Sequence, residues 1–390
     1  MSGTMLRGRT VLTGDEAAAH AVALARTQAV GCYPITPQTI VVERLADLTA
    51  GRDDVVFANV ESEHAMLGYV IAASRVGVRT FTATSSQGLL YAHEQLHRAS
   101  RERVPVVMVN VNRSILAPWS LEPDLSDSLS QRDTGWIQLY CASVQEVLDS
   151  VLCAYRIAET VMLPVMVSAE GFLLSHTAEV VYVPEQKDVD EFLPSFRPPD
   201  DWVLDPDRPR TYSALPQPVE YSQFQRRVAE AMDEARGVVE SVAAEFGVRF
   251  GRRKVGALDI AGAPDARSAL VTMGTIGDSA LELLPGDDDL LLVRVHAYRP
   301  FPAGELAAAL AGRSYVSVVD RAAAFGSLGP LGADVRSLDL GPGTVTTDYV
   351  CGVGGTEVTP VTLRWALEHT RANAGRIPGH DPVIVPEEVR

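Results

Sequence analysis

Over the first part of the chain, short apolar runs alternate with longer segments whose apolar residues recur every three or four positions. Val104–Val111 (VPVVMVNV) is the most apolar run, and Leu163–Ser168, Val78–Thr84 and Asp54–Val60 are of the same kind. Runs this short read as buried strands. Between them the spacing predicts helices over Gly14–Gln28, Glu63–Val76, Gln87–Arg101 and Val144–Thr160. Acids in the first turn of the first helix suit its dipole, and Gly77 marks the end of the second. Strands apolar on both faces need helices on both faces. The pattern therefore predicts an α/β fold with a parallel sheet.

The rhythm breaks near Val180. Residues 181–218 are rich in Pro, Asp and Glu, as a linker or an arm laid over a surface would be. One long helix is then predicted over Tyr221–Phe246, stopped at Gly247. From Ala269 the alternation resumes with SALVTMG, LLLVRVHAY and SYVSVVDR as strands. The expected division is a first parallel-sheet domain at 1–180, the arm and long helix at 181–264, and a smaller parallel-sheet domain at 265–390.

Composition narrows the function classes. The chain is 46% hydrophobic and 22% charged, normal for a globular protein with a sizeable core. A net charge of −16 argues against nucleic acid as a partner. Lys187 and Lys254 are the only lysines, so Schiff-base chemistry has few candidates. Cys32, Cys141, Cys153 and Cys351 form no CxxC pair, which gives neither an iron–sulfur ladder nor a zinc ribbon. The N-terminus lacks the apolar core of a signal peptide and no run is long enough to span a bilayer, so the cytoplasm is the expected location.

Candidate chemistry lies in a series of motifs. They are Gly31–Thr39 (GCYPITPQT), Glu61-Ser62-Glu63-His64-Ala65, Phe81–Leu90 (FTATSSQGLL), Val109–Pro118 (VNVNRSILAP), Gln131–Trp136 (QRDTGW) and Gly171-Phe172 with Ser175-His176-Thr177. Tyr298–Pro302 (YRPFP) and Val319-Asp320-Arg321 follow in the second part. Collinear over nearly the whole chain, these stretches resemble the alpha-type subunits of the 2-oxoacid:ferredoxin oxidoreductases.

The resemblance implies a pyrimidine-binding domain for thiamine diphosphate followed by a transketolase C-terminal-like domain. Glu63 would meet N1′ of the aminopyrimidine. A carboxyl group there favours the imino tautomer, whose nitrogen can take the C2 proton. Read alone, Glu63 is equally an acid placed in the first turn of its helix. Pro34 and Pro37 stiffen the YPITP loop. The resemblance places Tyr33 and Pro34 against the cofactor and the Thr36 hydroxyl against the substrate. Arg113 follows the most apolar strand, where sites in open α/β sheets lie, and would grip the substrate carboxylate. The implied activity is oxidative decarboxylation of a 2-oxoacid, with the acyl group passing to coenzyme A.

The other half of a thiamine site is missing. No GDG occurs, and Asn59, Asn110, Asn112 and Asn373 are not spaced to serve Mg²⁺. The expected assembly is therefore hetero-oligomeric. A beta-type subunit would hold the diphosphate and Mg²⁺, iron–sulfur clusters would lie on partner chains, a gamma-type subunit could be present, and ferredoxin would accept electrons. Leu125 stands where the family usually has His, Glu122 where it has an aromatic residue, and Glu170 where it has Asp. These departures motivate an alternative, a specialised biosynthetic paralogue using thiamine without ferredoxin or coenzyme A. His93-Glu94-Gln95-Leu96-His97 also fits H-E-x-x-H, the zinc hydrolase signature, although the family commonly has His-Glu at the first two positions. A non-catalytic scaffold is the remaining alternative.

Overall fold

A computed structural model describes residues 5–212, 214–372, 382–386 and 389. Asn373 and the last stretch of the predicted second domain lie largely outside the described residues.

Among the described residues, fifteen strands form three sheets. They are β1 (Gly8–Thr13), β2 (Ala29–Cys32), β3 (Val56–Asn59), β4 (Thr80–Thr84), β5 (Val107–Asn112), β6 (Ile137–Tyr140), β7 (Val165–Glu170), β8 (Ala178–Val183), β9 (Leu258–Gly262), β10 (Ser268–Met273), β11 (Leu290–Val295), β12 (Ala297–Arg299), β13 (Tyr315–Asp320), β14 (Val345–Val350) and β15 (Val383–Ile384). The larger sheet has the order β12-β6-β7-β5-β4-β2-β3 and is parallel except for β12. The second has the order β15-β14-β13-β10-β11-β9 and is parallel except for β9. The parallel α/β class predicted from the apolar runs is thus found in both sheets. β1 pairs with β8 as a separate antiparallel ribbon.

Several elements differ from expectation. The strand predicted over Asp54–Val60 is an edge strand with half-exposed residues rather than a buried one. The helix predicted over Gln87–Arg101 is two helices, Ser86–Tyr91 and His93–Arg101, meeting at Ala92. The YPITP loop follows β2 and leads into a helix absent from the expected set, Thr39–Thr49. The long helix runs Pro218–Phe250, past Gly247, and stops at Gly251 with φ 63°. That left-handed cap is what glycine supplies cheaply, whereas an interior glycine costs only about 1 kcal/mol. Ala231, Ala235, Val239, Val242 and Phe246 form the buried stripe of this helix, at the three-to-four spacing that one packed face requires. The arm before it is held by Arg75, whose guanidinium lies 4.5 Å from the Trp202 ring centre and 4.1 Å from that of Tyr212.

The chain order of the larger sheet places the functional loops. β3 lies on one side of β2, and β4 lies on the other. The direction of winding reverses there, which opens a crevice at the carboxyl ends of the strands. The loop after β2 carries Tyr33, Pro34 and Thr36, and Ser85–Gly88 after β4 form the cap and first turn of the helix Ser86–Tyr91.

Candidate functional site

Glu63 opens the helix Glu63–Ser74. Ser62 caps it by accepting a hydrogen bond from the Ala65 amide at 3.2 Å. The cap fixes the first turn, so the Glu63 side chain is held in the crevice and is only 6% exposed. It faces Gly88 and Thr84: a Cβ added at Gly88 would lie 2.5 Å from Glu63 Oε1 and 2.5 Å from Thr84 Oγ1. Burial raises the Glu63 carboxyl above its ordinary value, against a hydrogen bond with its own amide. A carboxyl group that keeps its proton easily suits a hydrogen bond to a ring nitrogen.

Arg113 is buried at the end of β5 and ties the other residues together. Its Nη1 donates to the Thr36 carbonyl at 2.6 Å, and its Nη2 donates to Gln87 Oε1 at 2.6 Å. Gln87 neighbours Gly88, so the Ser85–Gly88 turn links Arg113 to Glu63. Within the YPITP loop, Gln38 Nε2 donates to the Tyr33 carbonyl at 2.9 Å. Tyr33 is half-buried, Pro34 and Thr36 are exposed, and the Thr36–Pro37 peptide is cis.

Asp127 organises the floor and was not singled out by the sequence. Fully buried, it accepts the amide of Ser86 at 3.0 Å, the side-chain amides of Asn110 at 3.0 Å and Asn112 at 2.7 Å, and the amide of Arg113 at 3.2 Å. Burial pushes its carboxyl up to about 6, and these donors pull it back down. Ser86 has φ 47°, and its hydroxyl donates to the Ser114 carbonyl at 2.6 Å. A serine in the left-handed region is strained, and such strain collects at functional sites. The available signal was the stretch FTATSSQG itself, together with the Asn residues that alternate along β5.

The residues present fit a polar ligand. Thr84 Oγ1, Ser85 Oγ, Gln87 Nε2 and Arg113 Nε are buried without a hydrogen-bond partner among the described residues. Buried polar groups left unpaired cost about 1–3 kcal/mol each. A cluster of them beside an acid and a cradle with no room for a Cβ marks a place where a ligand completes the bonding.

The departures noted in the sequence acquire places. Leu125 is 1% exposed and sits in the apolar cluster that also holds Tyr140, Tyr298 and Leu331. Its amide donates to the Arg321 carbonyl at 3.0 Å. Glu122 packs on Gly355, and Asp124 accepts the Gly354 amide at 3.0 Å, so this segment docks on the second sheet's side. Glu170, at the end of β7, accepts the amide and hydroxyl of Thr275 at 2.7 and 2.8 Å and forms a buried ion pair with Arg321.

The HEQLH stretch is held by other partners. His93 Nδ1 bonds the Gln131 side chain, His97 Nδ1 lies 2.8 Å from Arg101 Nη1, and the two rings meet edge to face at 4.7 Å. Among the described residues, no three His, Cys, Asp or Glu stand together to hold a metal ion. Cys32, Cys141 and Cys153 are free thiols. Among the described residues, no helix is long and apolar enough to cross a membrane.

Comparison with known proteins bears on this geometry. Residues 20–244 match the family described as pyruvate flavodoxin/ferredoxin oxidoreductase, thiamine diphosphate-binding, and residues 266–363 match the pyruvate:ferredoxin oxidoreductase core domain II. A ketoisovalerate oxidoreductase subunit, VorA, of Pyrococcus horikoshii is 42% identical, covering 90% of this chain and 91% of its own length. A pyruvate synthase subunit, PorA, of Methanothermobacter thermautotrophicus is 40% identical, covering 92% of this chain and 94% of its own. Among solved structures, the 2-oxoglutarate:ferredoxin oxidoreductase from Magnetococcus marinus superposes with a TM-score of 0.70 at 18% identity, over 94% of this chain and 66% of that one. A split-gene transketolase superposes with a TM-score of 0.54 at 13% identity, over 93% and 99%. At these identities the two structures speak to the fold alone, and the family rests on the matched sequence. The chain belongs to the thiamine diphosphate-binding pyruvate flavodoxin/ferredoxin oxidoreductase family.

Proposed function

We propose that this chain is the alpha-type subunit of a 2-oxoacid:ferredoxin oxidoreductase and contributes the aminopyrimidine half of a shared thiamine diphosphate site. The observation that carries the proposal is the crevice at the winding reversal, where buried Glu63, the cradle at Gly88 and the unpaired polar groups of Thr84, Ser85 and Arg113 converge. Glu63 would hold the aminopyrimidine through its carboxyl group. Tyr33 and Pro34, on the loop after β2, would border it. Bound thiamine diphosphate supplies the carbon nucleophile that adds to a keto group and the electron sink for loss of CO₂.

The chain's own residues do the rest. Arg113 offers a buried guanidinium for the substrate carboxylate, with Nε still free to donate. Arg113 holds the Thr36 carbonyl, and from there the exposed Thr36 side chain would reach the substrate. Burial raises the Glu63 carboxyl, which favours a shared proton with the ring nitrogen that would sit against it. Diphosphate and Mg²⁺ would be held by a beta-type partner, with iron–sulfur clusters on partner chains and ferredoxin as electron acceptor. A gamma-type subunit and coenzyme A belong to the same proposal, as does a cytoplasmic location.

Titration calorimetry of the cofactor tests the split site. The isolated chain should bind thiamine diphosphate weakly with or without Mg²⁺, and the assembled complex tightly and with dependence on Mg²⁺. Tight Mg²⁺-dependent binding by the isolated chain would overturn the proposal.

A further inference from the structure

Glu170 ends β7 and is paired in register with Asn112, the residue before Arg113. Its successor Gly171 donates its amide to the Asn112 carbonyl at 2.9 Å. Gly171 has no room for a side chain, since a Cβ there would lie 2.7 Å from the Asn112 carbonyl oxygen and 2.9 Å from Pro37 Cγ. The end of β7 therefore bears directly on both halves of the substrate site: on the residue that precedes Arg113 and on the proline that follows Thr36. Arg113 and Thr36 meet just beyond, at 2.6 Å.

What holds the end of β7 comes from the other sheet. Arg321 follows β13, and its guanidinium pairs with Glu170 while Nε donates to the Gly352 carbonyl at 3.1 Å. Thr275 adds two donors to the same carboxylate. The two charged side chains are 4% and 2% exposed, so water does not loosen the pair. Gly274, at φ 60°, packs where a Cβ would collide with Glu170.

We infer that the Glu170–Arg321 clasp is a positioning device through which the second sheet sets the placement of the Thr36 and Arg113 substrate groups. This rests on the reading of those two residues given above. The clasp is distinct from general adhesion between the two halves. Arg294 of β11 makes a separate, bidentate pair with Glu146 at 2.6 and 2.9 Å, and Glu146 belongs to the helix Val144–Val161, which supplies none of the proposed site residues. Arg294 also donates to Asp259 at 2.8 Å, and neither Glu170 nor Arg321 takes part in this link, which makes it the control.

The test uses the assembled complex, with pyruvate and 2-oxoisovalerate as probes, in three variants: Arg321→Met, Arg321→Met with Glu170→Gln, and Arg294→Met with Glu146→Gln. Arg321→Met should raise KM by about tenfold or more, the scale expected when a reacting group is misplaced by a fraction of an ångström. Exchange of the cofactor C2 proton without substrate should stay within about twofold. Amide hydrogen exchange of residues 33–38, measured on the chain without cofactor, should speed up. The double variant buries no unpaired charge, so Tm should recover while the raised KM and the faster loop exchange persist. It also decides the matter if Arg321→Met does not assemble. The control should lower Tm and leave KM and the loop amides unchanged. The inference is overturned if KM recovers together with Tm, if the control raises KM equally, or if the loop amides do not respond. Glu63→Gln in the same preparations keeps the underlying reading separate: if it leaves C2 exchange unchanged, the cofactor reading has failed whatever Arg321 does.

Discussion

Replacing Gly88 by alanine adds one methyl group at the tightest point of the site. The new Cβ would lie 2.5 Å from Glu63 Oε1 and from Thr84 Oγ1, whereas ordinary contacts begin near 3.4 Å. The carboxylate must then retreat by roughly 0.9 Å, and a displacement of about 1 Å can cost on the order of 100-fold in rate. The fold should tolerate the change. Both obstructing atoms are side-chain ends rather than backbone, and Gly88 lies within the helix Ser86–Tyr91, where alanine is favoured over glycine by about 1 kcal/mol. That gain offsets an overpacking cost of about 1–3 kcal/mol. Deuterium exchange of the cofactor C2 proton in the assembled complex should therefore slow by about 100-fold, with Tm moving by only a few degrees. If exchange is unchanged while the variant assembles normally, Glu63 is not the group that Gly88 positions against the cofactor.

Arg113→Ala removes a charge-assisted contact of about 1.5–3 kcal/mol, so kcat/KM for the 2-oxoacid should fall by roughly ten- to a hundredfold, mostly through KM. An unchanged KM in steady-state kinetics would remove Arg113 from the substrate site. Asp15 is buried, its Oδ2 without a hydrogen bond and 3.8 Å from His176 Nδ1, and burial first, then Glu16, raises its carboxyl to about 8 from 3.8. The sign follows from linkage: its contribution to stability is complete below about 3.8 and is lost as pH rises through about 8. Asp15→Asn should therefore raise Tm at pH 8 and flatten the decline between pH 5 and 8; an equal decline in both proteins would contradict this. Purified chain should carry no stoichiometric zinc by metal analysis, and His97→Ala should leave activity largely intact.

The first sheet and the long helix were legible because their signals are local: an apolar run or a stripe of one period speaks for itself. The β1–β8 ribbon was not, since its strands are far apart in the chain and each is only half-apolar, with Val11, Val180 and Tyr182 exposed. β12 was read as the tail of LLLVRVHAY, yet it leaves the second sheet and joins β6 of the first. Pairing of that kind is decided by packing between the halves, which no window of sequence contains. The site shows the same division. Glu63, Thr36 and Arg113 stood out through their motifs, and the structure brings Arg113 onto the Thr36 carbonyl. Asp127 escaped notice because its role depends on donors from two segments distant from it in the chain, Ser86 after β4 and Asn110–Arg113 at the end of β5. Leu125 read as a lost imidazole, whereas its burial in the apolar cluster that also holds Tyr298 gives it a packing role that only the fold reveals.

In the proposed division of roles Glu63 acts on the cofactor and Arg113 on the substrate. NMR of C2 proton exchange in the assembled complex, without any 2-oxoacid, separates the two directly. Glu63→Gln should slow the exchange strongly, because the amide holds the ring nitrogen less well and carries no acidic proton, whereas Arg113→Ala should leave it near the parent rate. Equal slowing by both substitutions, or none by Glu63→Gln, would contradict the account.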